Sequence, residues 1–181
     1  MELETTRLVI RRFVMADAHR LREIGMAYEA SDMANYDHGP WPADLESYLD
    51  IIENWSKSDD CLAVVSKENE KLVGFISRSI NEDGEYELGY NFHPDARGVG
   101  YATEACTEVL RSLFEDLGAE LVNAGTAKVN ARSKRLLEKL GFRFVKETVV
   151  SFRKDEKGAP IEFPGLDFVL TADDWRSCTN R

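Results

Sequence analysis

What this 181-residue sequence lacks excludes several classes of protein. It has three cysteines, Cys61, Cys106 and Cys178, and their wide spacing fits neither a disulfide framework nor a metal-binding knuckle. The three histidines show no metal-ligand spacing either. We therefore expect no bound metal, and a reducing cytoplasmic environment.

Long apolar runs are also missing. No stretch approaches the roughly 20 apolar residues that a membrane-spanning helix needs. The first residues do not combine a basic segment with an apolar one, which is the pattern of a secretory leader. We therefore expect neither a membrane span nor a secretory signal.

Basic residues are scarce relative to acidic ones, with 23 Lys and Arg against 33 Asp and Glu and a formal net charge of −10. Binding to nucleic acid requires a basic surface, so this balance argues against such a partner. A cationic partner such as an amine or a basic peptide is favoured electrostatically. The acidic surface also serves solubility, and the charge alone leaves both interpretations open.

The remaining composition is that of an ordinary globular protein, and no repeat, linker or low-complexity tract interrupts it. We expect one domain over residues 1–181. Alternating or β-rich apolar residues predict strands over 8–13, 61–66, 72–80, 85–92, 120–124, 142–153 and 161–170. Helical spacing predicts helices over 17–25, 42–55, 100–117 and 131–140, with a loop over 28–41. This order indicates an α/β fold with a mixed sheet rather than a doubly wound parallel one.

The segment from Phe92 to Glu104 is the most informative part of the chain. A strand-like run ends at Phe92, a turn with Gly98 and Gly100 follows, and an amphipathic helix begins at once. Glycine permits unusual φ angles and a close approach of ligand to backbone N–H groups. The first N–H groups of a helix lack internal partners and lie at the positive end of its dipole. The segment therefore predicts an anion site, most often one for phosphate.

Two familiar phosphate loops do not fit this segment. A P-loop needs Lys followed by Ser or Thr after its last glycine, but Tyr101 and Ala102 follow Gly100. A dinucleotide fingerprint needs a third glycine or alanine where Thr103 stands, and it lies at the first strand of its domain rather than in mid-chain.

The segment Arg97-Gly98-Val99-Gly100-Tyr101-Ala102-Thr103-Glu104 instead resembles the pyrophosphate loop of the GNAT superfamily of N-acetyltransferases. It is most similar to the branch that includes the ribosomal-protein N-terminal acetyltransferases. The segment from Asn130 to Phe142 resembles the family's Asn-x-x-Ser motif and Lys-Leu-Gly-Phe helix end. The opening from Glu4 to Arg11 and the end from Asp167 to Trp175 resemble the first and last strands of that branch.

The resemblance implies a mostly antiparallel sheet flanked by helices and splayed at the acetyl-CoA loop. Backbone N–H groups of the loop would hold the pyrophosphate, and the pantetheine arm would pair with the strand end. The implied acetyl-CoA contacts are Asn91, Phe92, Arg97, Gly98, Val99, Gly100, Tyr101, Ala102, Thr103 and Asn130. Asp95 departs from the family pattern of Gln or Arg, and its carboxylate would repel pyrophosphate if it pointed inward.

Two residues are the catalytic candidates. Acetyl transfer needs a neutral amine, so a base should accept its proton. Glu87 is the candidate, because a carboxylate on a central strand is costly to bury unless it is paired or used; a solvated face or a structural ion pair is the alternative. Leu137 stands where the family often has a tyrosine acid, which leaves Ser133 as the motif's hydroxyl. Ser133 and Asn130 could equally serve only the helix cap.

The resemblance predicts an acetyl-CoA-dependent N-acetyltransferase whose acceptor is a primary amine. The first candidate is a protein N-terminal α-amine such as that of a ribosomal protein. A small amine (a polyamine or an antibiotic) and a non-catalytic acyl-CoA-binding domain are the alternatives. A homodimer is one assembly that the sequence leaves open.

Overall fold

The structure, a computed structural model, describes residues 2–179. Within that range eight strands form one sheet. They are β1 (Glu2–Glu4), β2 (Leu8–Arg11), β3 (Cys61–Ser66), β4 (Leu72–Ile80), β5 (Tyr86–Phe92), β6 (Leu121–Ala127), β7 (Arg143–Val150) and β8 (Phe163–Thr171). Their order across the sheet is β1-β2-β3-β4-β5-β6-β8-β7, with antiparallel neighbours except for β5 and β6, which are parallel. The predicted mixed, mostly antiparallel sheet is confirmed.

Five helices accompany this sheet in the described range, and none combines the length and apolarity that a membrane crossing needs. They are α1 (Ala18–Glu29), α2 (Leu45–Trp55), α3 (Tyr101–Arg111), α4 (Ala131–Lys139) and α5 (Ala172–Thr179). They lie on both faces of the sheet, so the core has two parts. The first core packs α3, α4 and α5 on one face, and the second packs α1 and α2 on the other.

Strand β3 shows how this layering follows from the sequence. All six of its residues are buried, because helices cover the sheet on both sides. Leu62 and Val64 belong to the first core, whereas Ala63 and Val65 belong to the second. Alternate side chains of β3 thus point to opposite faces of the sheet, but because both faces are apolar the sequence shows an almost continuous apolar run.

The sheet opens between β5 and β6. Their parallel ladder consists of Tyr86 opposite Val122 and Glu87 opposite Asn123. Beyond Glu87, the rest of β5 has no ladder partner in β6 among the described residues, although it stays paired with β4 as far as Phe92. This is the splay that the resemblance implied, and it lies directly before the glycine loop.

Several predicted helix boundaries were wrong. Helix α1 continues past Gly25 because the missing Cβ leaves room for the Tyr48 hydroxyl of α2, so this glycine serves packing and does not end the helix. Helix α2 begins at Leu45 rather than at residue 42, since Asp44 caps it by accepting the Ser47 N–H at 2.8 Å. The helix predicted over 100–117 is divided in two: α3 ends at Arg111, and a π-type turn follows over Ser112–Asp116.

The two ends of the fold were under-predicted. Strand β1 and helix α5 were not expected. Trp175 of α5 is 5% exposed and stacks on Phe114 with ring centroids 5.6 Å apart. The terminal tryptophan therefore closes the first core. Strand β6 is also longer than predicted, extending to Ala127.

Candidate functional site

The glycine loop joins the open end of β5 to α3. Gly98 and Gly100 have φ angles of +79° and +88°, and a Cβ at Gly98 would meet nothing within 4 Å. These glycines are therefore required by the left-handed backbone and not by lack of space. The first bond of α3 runs from the Glu104 N–H to the Gly100 carbonyl, so the amides of residues 101–103 precede it. No side chain caps Gly100, which leaves this helix start open to an anion.

Arg7 ties the N-terminal hairpin to this loop. Its guanidinium Nη1 donates to the Val99 carbonyl at 2.9 Å, and its Cζ lies 4.8 Å from the centre of the Tyr101 ring. Its Nε and Nη2 approach Oε2 of Glu104 at 2.7 and 2.6 Å. Thr5 and the Arg7 N–H also donate to this carboxylate. Sequence reasoning assigned the opening segment to a strand and missed this role.

The pairing of Glu104 matters because its carboxylate lies in the first turn of α3, beside the anion site. Burial raises the pKa of the Glu104 carboxyl, but the hydrogen bonds from Thr5 and Arg7 more than offset this, and its pKa lies below the usual value. Glu104 is therefore a carboxylate, and Arg7 neutralises its charge where it would otherwise repel a bound anion.

The carboxylate of Asp95 is held at the side of the loop. It lies 3.3 Å from Nδ1 of His93 and 4.0 Å from Nη2 of Arg20 on α1, and its side chain is 79% exposed. Burial and the Arg20 charge lower the pKa of His93. Asp95 thus faces Arg20 and His93. Its carboxylate does not take the inward position in which it would repel pyrophosphate. Arg97 is exposed at the entrance to the glycine turn.

Strand β5 presents its two predicted contact residues differently. Phe92 is buried in the first core, whereas Asn91 is half-buried opposite Phe75 of β4. Glu87 is exposed, as in the alternative of a solvated strand face. It lies opposite Ser79 at the solvent-exposed end of the β4–β5 hairpin, so a role as base would depend on access to water and to the acceptor and not on burial.

A second carboxylate lies on the same strand edge. Oε2 of Glu85 accepts from Nδ2 of Asn123 at 2.8 Å, across the seam between β5 and β6. Glu85 and Asn123 therefore hold the end of the seam next to Glu87.

The start of α4 brings three polar groups together. Asn130 caps the helix by accepting the Ser133 N–H at 3.1 Å. The Ser133 hydroxyl lies 2.9 Å from the phenolic oxygen of Tyr90 on β5. Leu137, in the family's tyrosine position, is fully buried in the first core. A tyrosine does therefore lie at this site, but it comes from the strand.

Tyr90 alternates with Leu88 and Phe92 along β5, and sequence reasoning gave it no role in the site. The structure does pack Tyr90 against the first core, yet its hydroxyl reaches α4. Burial raises the pKa of the Tyr90 phenol, while the hydrogen bond with Ser133 acts in the opposite direction. The spacing of the sequence gave no signal for a contact across 43 positions.

The loop over 28–41 is clasped to the segment after β7. Arg153 donates to both carboxylate oxygens of Glu29, and also to the carbonyls of Asp37 and Gly39. The ring of His38 lies 4.0 Å from that of Phe152. The strand predicted over 142–153 ends at Val150, and residues 152 and 153 instead join the loop over 28–41 in one clasp.

Tyr28 directly precedes Glu29, a partner of this clasp. Burial and the charge of Asp37 raise the pKa of the Tyr28 phenol, and the charges of Arg153 and Arg97 oppose that shift.

The chain is similar in sequence and in fold to known acetyltransferases. The family model described as the acetyltransferase (GNAT) domain matches residues 7–143. The uncharacterized N-acetyltransferase YnaD of Bacillus subtilis (strain 168) is 27% identical over 146 residues, 79% of this chain and 83% of that protein. The structure of ribosomal-protein-S5-alanine acetyltransferase from Vibrio fischeri superposes with a TM-score of 0.78 at 17% identity, covering 97% of this chain and 98% of that one. The microcin C7 self immunity acetyltransferase MccE, in complex with acetyl-CoA and AMP, has a TM-score of 0.73 at 15% identity, covering 92% and 93%.

Proposed function

This chain belongs to the GNAT acetyltransferase family and is an acyltransferase, and we propose that it transfers an acetyl group from acetyl-CoA to a primary amine. The first candidate for the acceptor is a protein N-terminal α-amine such as that of a ribosomal protein. The observation that carries the proposal is the open helix start after Gly98 and Gly100, next to a strand edge without a partner in β6. The first feature suits a pyrophosphate, and the second suits an amide-containing arm.

The proposed seat of acetyl-CoA uses this chain's backbone. Amides of residues 98–103 would hold the pyrophosphate oxygens at the positive end of α3. The Arg97 N–H already donates to the Pro94 carbonyl at 3.1 Å, so Arg97 would contribute through its side chain. Asn91 and Phe92 would offer main-chain partners to the pantetheine arm, as when a strand is added to a sheet. Asn130, at the opposite side of the opening, would contact the same arm. The Val99 carbonyl accepts from Arg7 at 2.9 Å, so this acceptor in the loop already has a partner.

The proposed chemistry is an acyl exchange between sulfur and nitrogen. The neutral amine attacks the acetyl carbon, the C–S bond breaks with its electron pair on sulfur, and an amide and CoA are the products. The amine releases one proton and the sulfur gains one, so protons balance. Glu87 is proposed to accept the first, directly or through water, and the Ser133 hydroxyl to donate to the departing sulfur.

The acceptor proposal has two supports. The net charge of −10 favours a cationic partner, and a similarly folded protein is a ribosomal-protein-S5-alanine acetyltransferase. A small cationic amine is the second candidate, since the charge favours it equally. The alternative of a non-catalytic acyl-CoA-binding domain is not retained, because the family and its relatives are acetyltransferases.

The test begins with binding. Acetyl-CoA at about 100 times its Kd should raise Tm by about 5 to 10 °C, and Gly100→Asp should lose that shift. Gly118→Asp is the matched control, because Gly118 has φ +69°, has nothing within 4 Å of a Cβ and lies beyond the opposite end of α3. A missing shift in the unmutated protein would reject acetyl-CoA binding.

Thiol release from acetyl-CoA then identifies the acceptor. Peptides that begin with alanine or serine should support turnover, and the same peptides with acetylated N-termini should not. Turnover with spermidine, and none with any peptide, would replace the first candidate by the second.

A further inference from the structure

Tyr90 and Ser133 form a hydroxyl pair across two elements of the fold. The Tyr90 phenolic oxygen lies 2.9 Å from Oγ of Ser133 and 3.4 Å from the Ser133 carbonyl oxygen. Tyr90 stands on β5 beyond Glu87, where β6 is no longer paired, and Ser133 stands in the first turn of α4. The pair therefore lies beside the opening that the acyl donor is proposed to enter.

The chemistry of the two groups decides which one donates. The phenol has one hydrogen, and Oγ of Ser133 at 2.9 Å is a better placed acceptor for it than the carbonyl oxygen at 3.4 Å. A phenol is also the more acidic hydroxyl and the better donor. Tyr90 is packed among apolar groups, including Cys106 of α3, and burial raises its pKa, which keeps the phenol protonated. The contact geometry allows either hydroxyl to donate, and on these chemical grounds Tyr90 is assigned as the donor to Oγ of Ser133.

This direction leaves the hydrogen of Ser133 free to point elsewhere. The Ser133 N–H is already held by Asn130, which fixes the backbone of the residue. With Oγ accepting from Tyr90, the serine O–H can turn toward the opening between β5 and β6. With the opposite direction, the serine hydrogen would be donated to Tyr90 and would not be available to a ligand.

We propose that Tyr90 is a positioning residue that makes Ser133 a hydrogen-bond donor to the sulfur of CoA. The inference rests on the proposed function and names a residue that acts through Ser133. During transfer the C–S bond breaks and the charge that develops on sulfur is stabilised by the Ser133 O–H. Tyr90 keeps its own proton throughout.

The test needs no acceptor and uses the full chain. Dissociation constants of CoA and of acetyl-CoA are measured by calorimetry at pH 7 and pH 9. A thiol with a pKa of about 8.5 becomes a thiolate across this range, whereas acetyl-CoA has no thiol to ionise. The affinity ratio of CoA to acetyl-CoA isolates the sulfur, and in the unmutated protein we expect it to rise about three- to tenfold from pH 7 to pH 9.

Four variants separate positioning from packing. Ser133→Ala should abolish the rise, Tyr90→Phe should remove most of it, and the double variant should match Ser133→Ala, because Tyr90 acts through that hydroxyl. Tyr86→Phe is the matched control, since Tyr86 lies on the same strand face against the same core. It should leave the rise unchanged.

Three outcomes overturn the proposal. The rise persists in Tyr90→Phe, or Tyr90→Phe reduces the ratio further within the Ser133→Ala background, or the unmutated ratio does not change with pH. A protein that binds neither ligand would reject the proposed function as well, which is a distinguishable result. If Tyr90→Phe fails to fold, 3-fluorotyrosine at position 90 replaces it; the more acidic phenol should increase the rise, and no increase counts against the proposal.

Discussion

Arg7 and Glu104 are 97 positions apart in the chain, yet the Arg7 backbone N–H and its guanidinium both bind the Glu104 carboxylate. The same guanidinium holds the Val99 carbonyl. One side chain thus neutralises an acidic group in the first turn of α3 and fixes the glycine loop before it. The glycine loop and the start of α3 are therefore held by the N-terminal hairpin as well as by their own backbone.

Arg7→Ala should therefore weaken acetyl-CoA binding about tenfold, because it exposes the Glu104 charge beside the pyrophosphate seat and releases the loop. Calorimetric titration with acetyl-CoA checks this. Arg12→Ala is the control, since Arg12 forms a similarly exposed ion pair with the remote Asp59. Equal affinities in the unmutated protein and Arg7→Ala would show that Glu104 does not sense the ligand.

Glu87→Gln should lower kcat/KM at pH 7 about tenfold or more if Glu87 accepts the amine proton. The loss should shrink toward pH 9, because an α-amine with a pKa of about 8 is then already neutral. Pre-steady and steady-state rates of thiol release provide the measurement. Glu82→Gln, an exposed glutamate in the adjacent turn, should have no effect. A loss in Glu87→Gln that is the same at every pH would remove Glu87 from the role of base.

Leu137→Tyr places a tyrosine where many relatives of this fold would have one. We expect no gain in kcat and a loss of about 1 to 3 kcal/mol in the free energy of unfolding, because Leu137 is fully buried and the site has no room for a larger ring. Denaturant unfolding and thiol-release rates test both parts. A more active variant would mean that Ser133 does not serve as the donor to the departing sulfur.

Gly25→Ala should destabilise the protein by about 1 to 3 kcal/mol, because the new methyl group would occupy the space of the Tyr48 hydroxyl. Tyr48→Phe should rescue it, since that hydroxyl is buried without a hydrogen-bond partner. Gly125→Ala, where a Cβ meets nothing within 4 Å, is the control. Thermal unfolding of the single and double variants decides; an unaltered Tm in Gly25→Ala would contradict the packing.

Glu29→Gln should remove a part of the stability that depends on pH. The hydrogen bond from Arg153 lowers the pKa of Glu29 below its ordinary value of 4.5, against an opposing effect of burial. A carboxyl with a lowered folded pKa contributes stability fully above its unfolded pKa and loses it as the pH falls through the folded value. The Tm gap between the unmutated protein and Glu29→Gln should therefore be constant from pH 7 to 5 and close in more acidic solution.

The matched control for this prediction is Glu53→Gln, because Glu53 pairs with Lys57 in an exposed pair on α2. It should show little gap at any pH. A gap for Glu29→Gln that stays constant down to pH 3 would mean that the clasp holds without the charge of Glu29.

Local signals made much of the fold predictable. The cap at Asn130, the positive-φ turn at Gly98 and Gly100, and the alternation along β5 each depend on residues within a few positions of one another. The open seam before the loop was expected from family resemblance, and the sheet order confirms it. Such features are fixed by short-range chemistry and by a shared architecture.

The failures have a common physical cause, which is contact across the chain. Gly25 does not end α1 because Tyr48 fills the space beside it. Neither the contact of Tyr90 with Ser133 nor that of Arg7 with Glu104 leaves a trace in sequence spacing. Each of these depends on tertiary placement, and so the polar partners of the site were the part that the sequence could not reveal.

The short ladder between β5 and β6 has a consequence for how the protein resists proteolysis. Two register positions join one half of the sheet to the other, and the first core bridges the rest. If the pantetheine arm binds in the opening as proposed, it would take the place of a missing strand and join the two halves of the sheet. Ligand that binds only the folded state raises its stability. Resistance to proteolysis should then increase with the concentration of acetyl-CoA, so the enzyme should be degraded most slowly where its acetyl donor is abundant.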